Sequence, residues 1–340
     1  MKKIFIILII FTAVISALSV SFIQYMISPV GGDKEKVYFE IKQGEGAYSI
    51  ANKLELQGLI RNSKIFVIFA KYLKYDRKLL SGYYEIDRSM SMIDIMKYLN
   101  SGKKQAMVKL TIAEGKNIYE IGAYLEEQEF TTKKEFLEVC HDKEILQQYN
   151  IPADSVEGYI FPSTYYIIKG NSVRTLVIYM IDSLYKKFPD LQDRAQKIGY
   201  NIHEILTMAS IVEKEMGPLD DPKLISSVYY NRLKIDKRLE ADPTTIYAMT
   251  LTKGDYIEKP NLRYSDLRME HPYNTYKNKG LPPGPICSSG AKAIEAALNP
   301  ADTDYIFFVA DGTGKHAFSV TYEEHVKNID FLTTLSGYVH

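Results

Sequence analysis

The feature that most constrains this chain lies at its start, where Lys2 and Lys3 precede an uncharged run from Ile4 to Ile23. About 20 apolar residues wound into a helix match the hydrocarbon thickness of a bilayer. Apolar character persists past Gln24 through Tyr25, Met26 and Ile27. The two lysines favour a cytoplasmic N-terminus, which puts everything after about residue 30 on the outer side of the plasma (inner) membrane. A cleaved signal peptide is the competing reading, because Ala17-Leu18-Ser19 offers a small-x-small site. The run continues beyond that site and outlasts a usual signal core, so the sequence predicts a retained single-pass anchor over residues 1–30.

The remainder of the 340 residues is too long for one small core and predicts two or three domains in all. Forty-two basic residues balance 42 acidic ones, so no net field draws the chain to nucleic acid or anionic lipid. Cys140 and Cys287 have no metal-like spacing and are too few for a disulfide framework; a single bridge outside the cell is one reading, and buried free thiols are the preferred one. There are 27 tyrosines and no tryptophan; tyrosine faces stack on sugar rings but also fill cores.

Beyond the anchor, Gly31-Gly32-Asp33-Lys34-Glu35-Lys36 reads as a short flexible linker. Val37 to Ile41 reads as a strand, and a helix with Ile50, Ala51 and Leu54 on one face follows it. Asn62 or Ser63 caps a second helix holding Ile65, Phe66, Ile68 and Phe69. Gly82 to Ile86 reads as another strand, and Met92 to Leu99 as a helix closed by Asn100 and Gly102. Ile41, Gly44, Ile50 and Leu54 are spaced three, six and four apart, and Ile112, Gly115, Ile121 and Leu125 repeat that spacing. Each set reads as strand, glycine turn and amphipathic helix, a unit that resembles the opening of a LysM module. Residues 31–104 are thus expected to form a LysM-like subdomain, either a glycan-binding module or a spacer. Residues 105–340 would form the second, catalytic domain. Within it, Phe130 to Tyr149 reads as helical and Thr175 to Phe188 as a long helix. Val156 to Tyr166, dense in aromatics, reads as a structured loop or strand, either core packing or a cleft wall.

The densest chemistry lies on a helix opened by Asn201 and stopped by Gly217-Pro218. Ile205, Leu206, Met208, Ala209, Ile211, Val212 and Met216 form its apolar stripe. At 100° per residue, Glu213 and Glu215 fall on opposite flanks of that stripe, about 160° apart. A carboxyl at the margin of an apolar stripe loses solvation, its pKa rises, and it can stay protonated near neutral pH, as a proton donor to a glycosidic oxygen must. Periodicity does not choose between the two glutamates. Pro222 opens the next helix, whose apolar face includes Tyr229 and Leu233. Asp242 or Thr244 is expected to cap the helix holding Tyr247. Arg232 and Asp242 read as a structural ion pair. Tyr305 to Ala310 reads as a buried strand leading into a hairpin-like turn at Asp311 to Phe318, within which His316 is most simply solvated.

Six ordered stretches carry a specific resemblance: Ala209-Ser210-Ile211-Val212-Glu213-Lys214-Glu215, Asn231-Arg232-Leu233, Asp242-Pro243-Thr244, Tyr273-Asn274-Thr275-Tyr276, Gly280-Leu281-Pro282-Pro283-Gly284 and Phe308-Val309-Ala310-Asp311-Gly312. Together they resemble the YceG-like endolytic murein transglycosylases, over most of the chain. The resemblance implies an α+β fold: an N-terminal transmembrane helix, a small LysM-like part and a mixed catalytic domain. It makes Glu215, the second acid of Glu-Lys-Glu, the catalytic group. It also implies a cleft that includes Glu157, Tyr159, Asn231, Asp242, Thr244, Tyr273, Asn274, Thr275, Tyr276 and His316. Met216 and Pro272 depart from the residues common at those positions in the family.

The implied reaction is lytic. Glu215 protonates the oxygen between MurNAc and GlcNAc, then accepts the proton of the MurNAc C6 hydroxyl as that hydroxyl attacks C1, leaving a 1,6-anhydro end. One carboxyl serves twice, so the paired acids at roughly 5–9.5 Å of ordinary glycosidases are not required. No metal or organic cofactor is called for. Implied partners are peptidoglycan glycan strands and the peptidoglycan synthases (penicillin-binding proteins) of the elongation or division machinery. The alternatives are a hydrolytic muramidase with Asp242 as second carboxylate, and a non-enzymatic wall-binding scaffold.

Overall fold

The computed structural model describes residues 2–31, 36–76, 79–102, 107–168, 172–257 and 261–336. Residues 32–35 of the expected linker lie outside the described residues. The chain divides into two compact units, Met1–Val108 and Lys109–His340, with mixed α+β structure.

The first unit begins with α1 (Lys2–Ile27), 26 residues of unbroken helix. At 1.5 Å per residue it is about 39 Å long. Among the described residues it is the one helix long and apolar enough to cross a membrane. Then come β1 (Lys36–Ile41), α2 (Ala47–Leu56), α3 (Ser63–Tyr72), β2 (Gly82–Asp87) and α4 (Met92–Asn100). β1 and β2 pair antiparallel, with Phe39 opposite Tyr84 and Val37 opposite Ile86. Alternation along β1 turns Phe39 and Ile41 inward, where they meet Ile50, Leu54, Phe66, Tyr84, Ile86, Met96 and Leu99. The predicted cap is present: Asn62 accepts from the Ile65 N–H at 3.0 Å.

The second unit opens on the repeat of that motif. β3 (Met107–Thr111) leads through Gly115 into α5 (Ile118–Glu127), followed by α6 (Lys133–Cys140), α7 (Lys143–Gln148) and β4 (Thr164–Ile168), which pairs with β3. Gly44 and Gly115 hold matching left-handed φ of +79° and +74°, a conformation glycine adopts without strain. Ile112, Ile121 and Leu125 are buried like their counterparts Ile41, Ile50 and Leu54. The stretch expected to be helical from Phe130 to Tyr149 is two helices. Asp142 breaks it by accepting from the Glu144 N–H at 2.8 Å, capping α7. Cys140 and Cys287 are buried free thiols.

Next come α8 (Val173–Lys187), α9 (Leu191–Lys197), α10 (Ile202–Glu215), α11 (Pro222–Lys234), α12 (Asp242–Lys253), α13 (Ala291–Leu298), the hairpin β5 (Phe307–Ala310) and β6 (His316–Ser319), and α14 (Tyr322–Ser336). α10 is the pivot of this unit, packing against α9, α11, α12 and α13. Its residues Ile205 to Val212 are all buried, so tertiary packing on several sides fixes it. The sequence predicts a buried β5, yet Phe307, Phe308 and Val309 are only partly so and Ala310 is exposed. Phe307 and Phe308 both border a cavity.

Candidate active site

Local rules place the end of α10 firmly. At its start Asn201 and Glu204 form a reciprocal capping box, each side chain accepting from the other's backbone N–H at 3.0 and 2.8 Å. At its end Met216 is extended, and the Gly217 N–H donates to the Asp220 carboxylate at 2.6 Å. A Cβ on Gly217 would lie 2.5 Å from the Gly314 carbonyl oxygen, so only glycine allows the β5–β6 hairpin this close. The same Asp220 accepts from the His316 N–H at 2.8 Å and contacts its Nδ1 at 2.6 Å. His316, expected to be solvated, is therefore largely buried, and it docks the hairpin on the end of α10.

Docking brings Phe308 edge-on to Tyr229 of α11, with ring centroids 5.8 Å apart. The Tyr229 hydroxyl donates to Glu215 Oε1 at 3.0 Å. Arg232 lies one turn further along α11. It donates to the carbonyls of Ile306 and Leu239, at 2.7 and 2.6 Å, and lies over Phe307. Its carboxylate partner is Glu240, at 3.4 Å, rather than the expected Asp242. Asp242 is the first residue of α12 and caps nothing; its carboxylate accepts from the Tyr276 hydroxyl at 2.6 Å. Thr244 does not cap α12 either, because its hydroxyl donates to the Ala241 carbonyl.

These groups enclose a cavity of about 330 Å³, completed by Tyr322 and His325 of α14. His325 stacks on Phe307 at 5.1 Å, and burial, followed by the nearby Arg232 charge, lowers its pKa. Burial raises the Glu215 pKa to about 7. The Tyr229 hydrogen bond opposes that rise, Asp242 adds to it by like-charge repulsion, and Arg232 opposes it. Glu213 is also raised to about 7 by burial, but its hydrogen bond is to backbone: Oε2 accepts from the Gly290 N–H at 3.0 Å, where α13 begins.

Of the residues singled out in the sequence, Glu215, Arg232, Asp242 and Tyr276 line this cavity. Several others build its frame. Asn274 is buried, donating to the carbonyls of Leu267 and Met269 and accepting from Thr245 and the Tyr276 N–H. Thr275 and Thr244 share a hydrogen bond at 2.8 Å. Asn231 donates to the carbonyls of Thr303 and Tyr305, fixing the approach to β5. Glu157, Tyr159 and Tyr273 are not among the residues lining this cavity. Glu157 is buried, accepting from the Ile118 N–H and the Tyr247 hydroxyl, each at 3.1 Å. Burial pushes its pKa up to about 8. Tyr273 packs edge-on to Tyr247, and the Tyr159 hydroxyl meets His203 Nδ1 at 3.1 Å. The cavity residues not anticipated are Tyr229, Glu240, Phe307, Phe308, Tyr322 and His325. Tyr229 and Arg232, three apart on one helix, share a face, which is the available signal.

The YceG-like family profile covers residues 39–330. A Bacillus subtilis protein named endolytic murein transglycosylase is 32% identical over 318 residues, 89% of this chain and 86% of its own length. A Streptococcus pneumoniae protein of the same name is 32% identical over 94% of this chain, which spans 63% of that longer relative. The crystal structure of a YceG-like protein from Listeria monocytogenes aligns with a TM-score of 0.59 and 37% identity, covering 87% of this chain and 99% of that one. The chain belongs to the YceG-like family.

Proposed function

We propose that this chain is an endolytic murein transglycosylase that cuts nascent peptidoglycan strands between MurNAc and GlcNAc and helps to terminate glycan elongation. The observation that carries the reading is the Glu215 carboxyl, set on a cavity wall with its pKa raised to about 7. A carboxyl poised there is protonated often enough to donate and basic enough to take a proton back. Glu215 gives its proton to the glycosidic oxygen as the C1–O bond breaks. Its carboxylate then accepts the proton of the MurNAc C6 hydroxyl, whose oxygen bonds to C1. The products are a 1,6-anhydroMurNAc end and a free GlcNAc hydroxyl. Tyr229 stabilises the ionised state between the two transfers. Asp242, held by Tyr276, opposes the positive charge that develops at C1. Phe307, Phe308 and Tyr322 offer apolar faces to sugar rings.

The anchor reading of α1, with Lys2 and Lys3 cytoplasmic, places this chemistry on the wall side of the membrane. The β-α-α-β order of β1, α2, α3 and β2 supports a LysM-like role for the first unit. Association with peptidoglycan synthases follows from a substrate that those enzymes produce. The test is mass spectrometry of digested glycan: anhydro ends from the wild type, lost in Glu215→Gln, are expected. A Glu215→Gln protein that still cleaved fully would overturn the assignment. Asp242 beside the acid favours hydrolysis as the second reading, and reducing ends in place of anhydro ends would establish it.

A further inference from the structure

The exposed face of α3 is unusual for a surface helix. Lys64, Ile68, Lys71 and Tyr72 fall within an arc of about 100° around its axis. Ile68 is 64% exposed and Tyr72 83% exposed, while the opposite side buries Phe66, Val67 and Ala70 in the unit's core. Leu56, at the end of the adjoining α2, is 87% exposed. Lys74 continues the basic series just past the helix; of the carboxylates nearby, Glu55 is engaged by the Ser63 N–H and lies near Lys64, and Asp76 follows Lys74 by two residues with its N–H on the Ala70 carbonyl.

The same helix is tied to the end of α1. Arg61, two residues before α3, donates to the carbonyls of Ser28 and Pro29 at 2.6 Å each, and its guanidinium lies 4.5 Å from the Tyr25 ring. Ile27 packs against the core of the unit. The Ser28 and Pro29 carbonyls both lie just past the last residue of α1, where a cation meets the negative end of the helix dipole. The apolar helix thus passes into the folded unit through a clamp, and α3 starts beside that clamp.

We propose that α3 is a second membrane contact, its Ile68 and Tyr72 seated at the headgroup level of an anionic bilayer and Lys64, Lys71 and Lys74 on lipid phosphates. The proposal rests on the anchor reading of α1. Isoleucine and tyrosine flanked by lysines is the composition of an interfacial helix. Tethering by α1 makes the contact intramolecular, so a weak surface affinity suffices. Its consequence is to hold the first unit down on the membrane rather than let it swing on the anchor.

The absence of tryptophan makes the test direct. Full-length chains carrying Ile68→Trp, Tyr72→Trp or, inside α1, Phe11→Trp are reconstituted in phosphatidylglycerol–phosphatidylcholine vesicles whose acyl chains are brominated near the headgroup. All three tryptophans should be quenched. Quenching at positions 68 and 72 should weaken when phosphatidylglycerol is omitted, and Lys71→Gln should lower the docked-to-undocked ratio about fivefold. Quenching at position 11 but at neither 68 nor 72 overturns the proposal and leaves the anchor standing. No quenching at position 11 overturns the anchor and the proposal with it. Quenching at 68 and 72 that is indifferent to anionic lipid overturns the assignment of the lysines.

Discussion

The Tyr229 hydroxyl is the group whose removal most directly reports what sets the acidity of Glu215. It donates to Glu215 Oε1 at 3.0 Å and stabilises the ionised carboxyl against the burial that raises its pKa to about 7. In Tyr229→Phe the ring keeps its contact with Phe308 and only the donor is lost. A hydrogen bond to a charged group contributes roughly 1.5–3 kcal/mol. At 1.36 kcal/mol per unit, that loss raises the Glu215 pKa by about 1–2 units. The sign follows from the protonated acid being the form that starts cleavage. Wild-type kcat/KM should fall as pH rises through about 7, and the variant should hold its rate to higher pH. At pH 8 the protonated fraction grows from roughly 10% to between about 50% and 90%. The maximal rate should drop, because the same hydroxyl steadies the carboxylate between the two proton transfers. The assay is release of anhydro-ended fragments from purified glycan strands against pH. An alkaline limb that stays in place, or moves to lower pH, would refute the idea that Tyr229 sets this pKa.

Asp242→Asn should act in the opposite direction. It removes the neighbouring charge that raises the Glu215 pKa, so the alkaline limb moves toward acid in the same assay. Glu157→Gln should change stability rather than chemistry. Glu157 has its pKa raised by burial from 4.5 to about 8. The folded state therefore keeps a proton that the unfolded chain has lost between those values, and folding stability falls by up to about 1.4 kcal/mol per pH unit across that window. The glutamine variant should lose Glu157's share of the slope in thermal melts run from pH 5 to pH 9, most visibly between pH 7 and 8 where Glu213 and Glu215 contribute least, and an unchanged slope would show that Glu157 is ionised in the fold.

Much of the local structure is legible in the sequence because local rules decide it. The cap at Asn62, the capping box at Asn201, Pro222 opening a helix and the glycine turns at Gly44 and Gly115 each need only a few neighbouring residues. What stays hidden depends on residues distant in sequence. His316 is a turn histidine by local reading, and only its approach to Asp220, 96 positions away, buries it. Arg232 finds Glu240 and two carbonyls rather than Asp242, because Asp242 is taken by Tyr276. The break at Asp142 shows only as a change of phase: at 100° per residue the buried Phe136 and Cys140 fall within about 40° of each other, whereas the buried Ile145 falls about 180° from Phe136. Glu157 reads as a cleft acid beside aromatics, yet a Cβ on the next residue, Gly158, would fall 2.2 Å from Pro285, so this stretch lies packed under the Gly280–Pro285 loop.

The tie between Glu213 and Glu215 shows what packing adds to periodicity. Both carboxyls flank one stripe and burial raises both to about 7, so acidity alone does not separate a catalyst from a structural acid. Their partners differ. Glu213 spends an oxygen on the Gly290 N–H, where α13 starts, and Gly115 and Glu114 lie beside it. Glu215 is held by a single hydroxyl and borders the cavity. Glu213→Gln keeps an amide oxygen that can accept from Gly290, so it should fold and still form anhydro ends. It also removes a group that titrates near neutrality, so its thermal stability should vary less with pH between 5 and 8 than that of the wild type. Glu215→Gln should fold equally well and form no anhydro ends, because an amide cannot donate the proton. Loss of anhydro ends in Glu213→Gln, in a protein with wild-type melting behaviour at pH 5, would move the acid to the other flank of the helix and leave the cavity without a catalytic role.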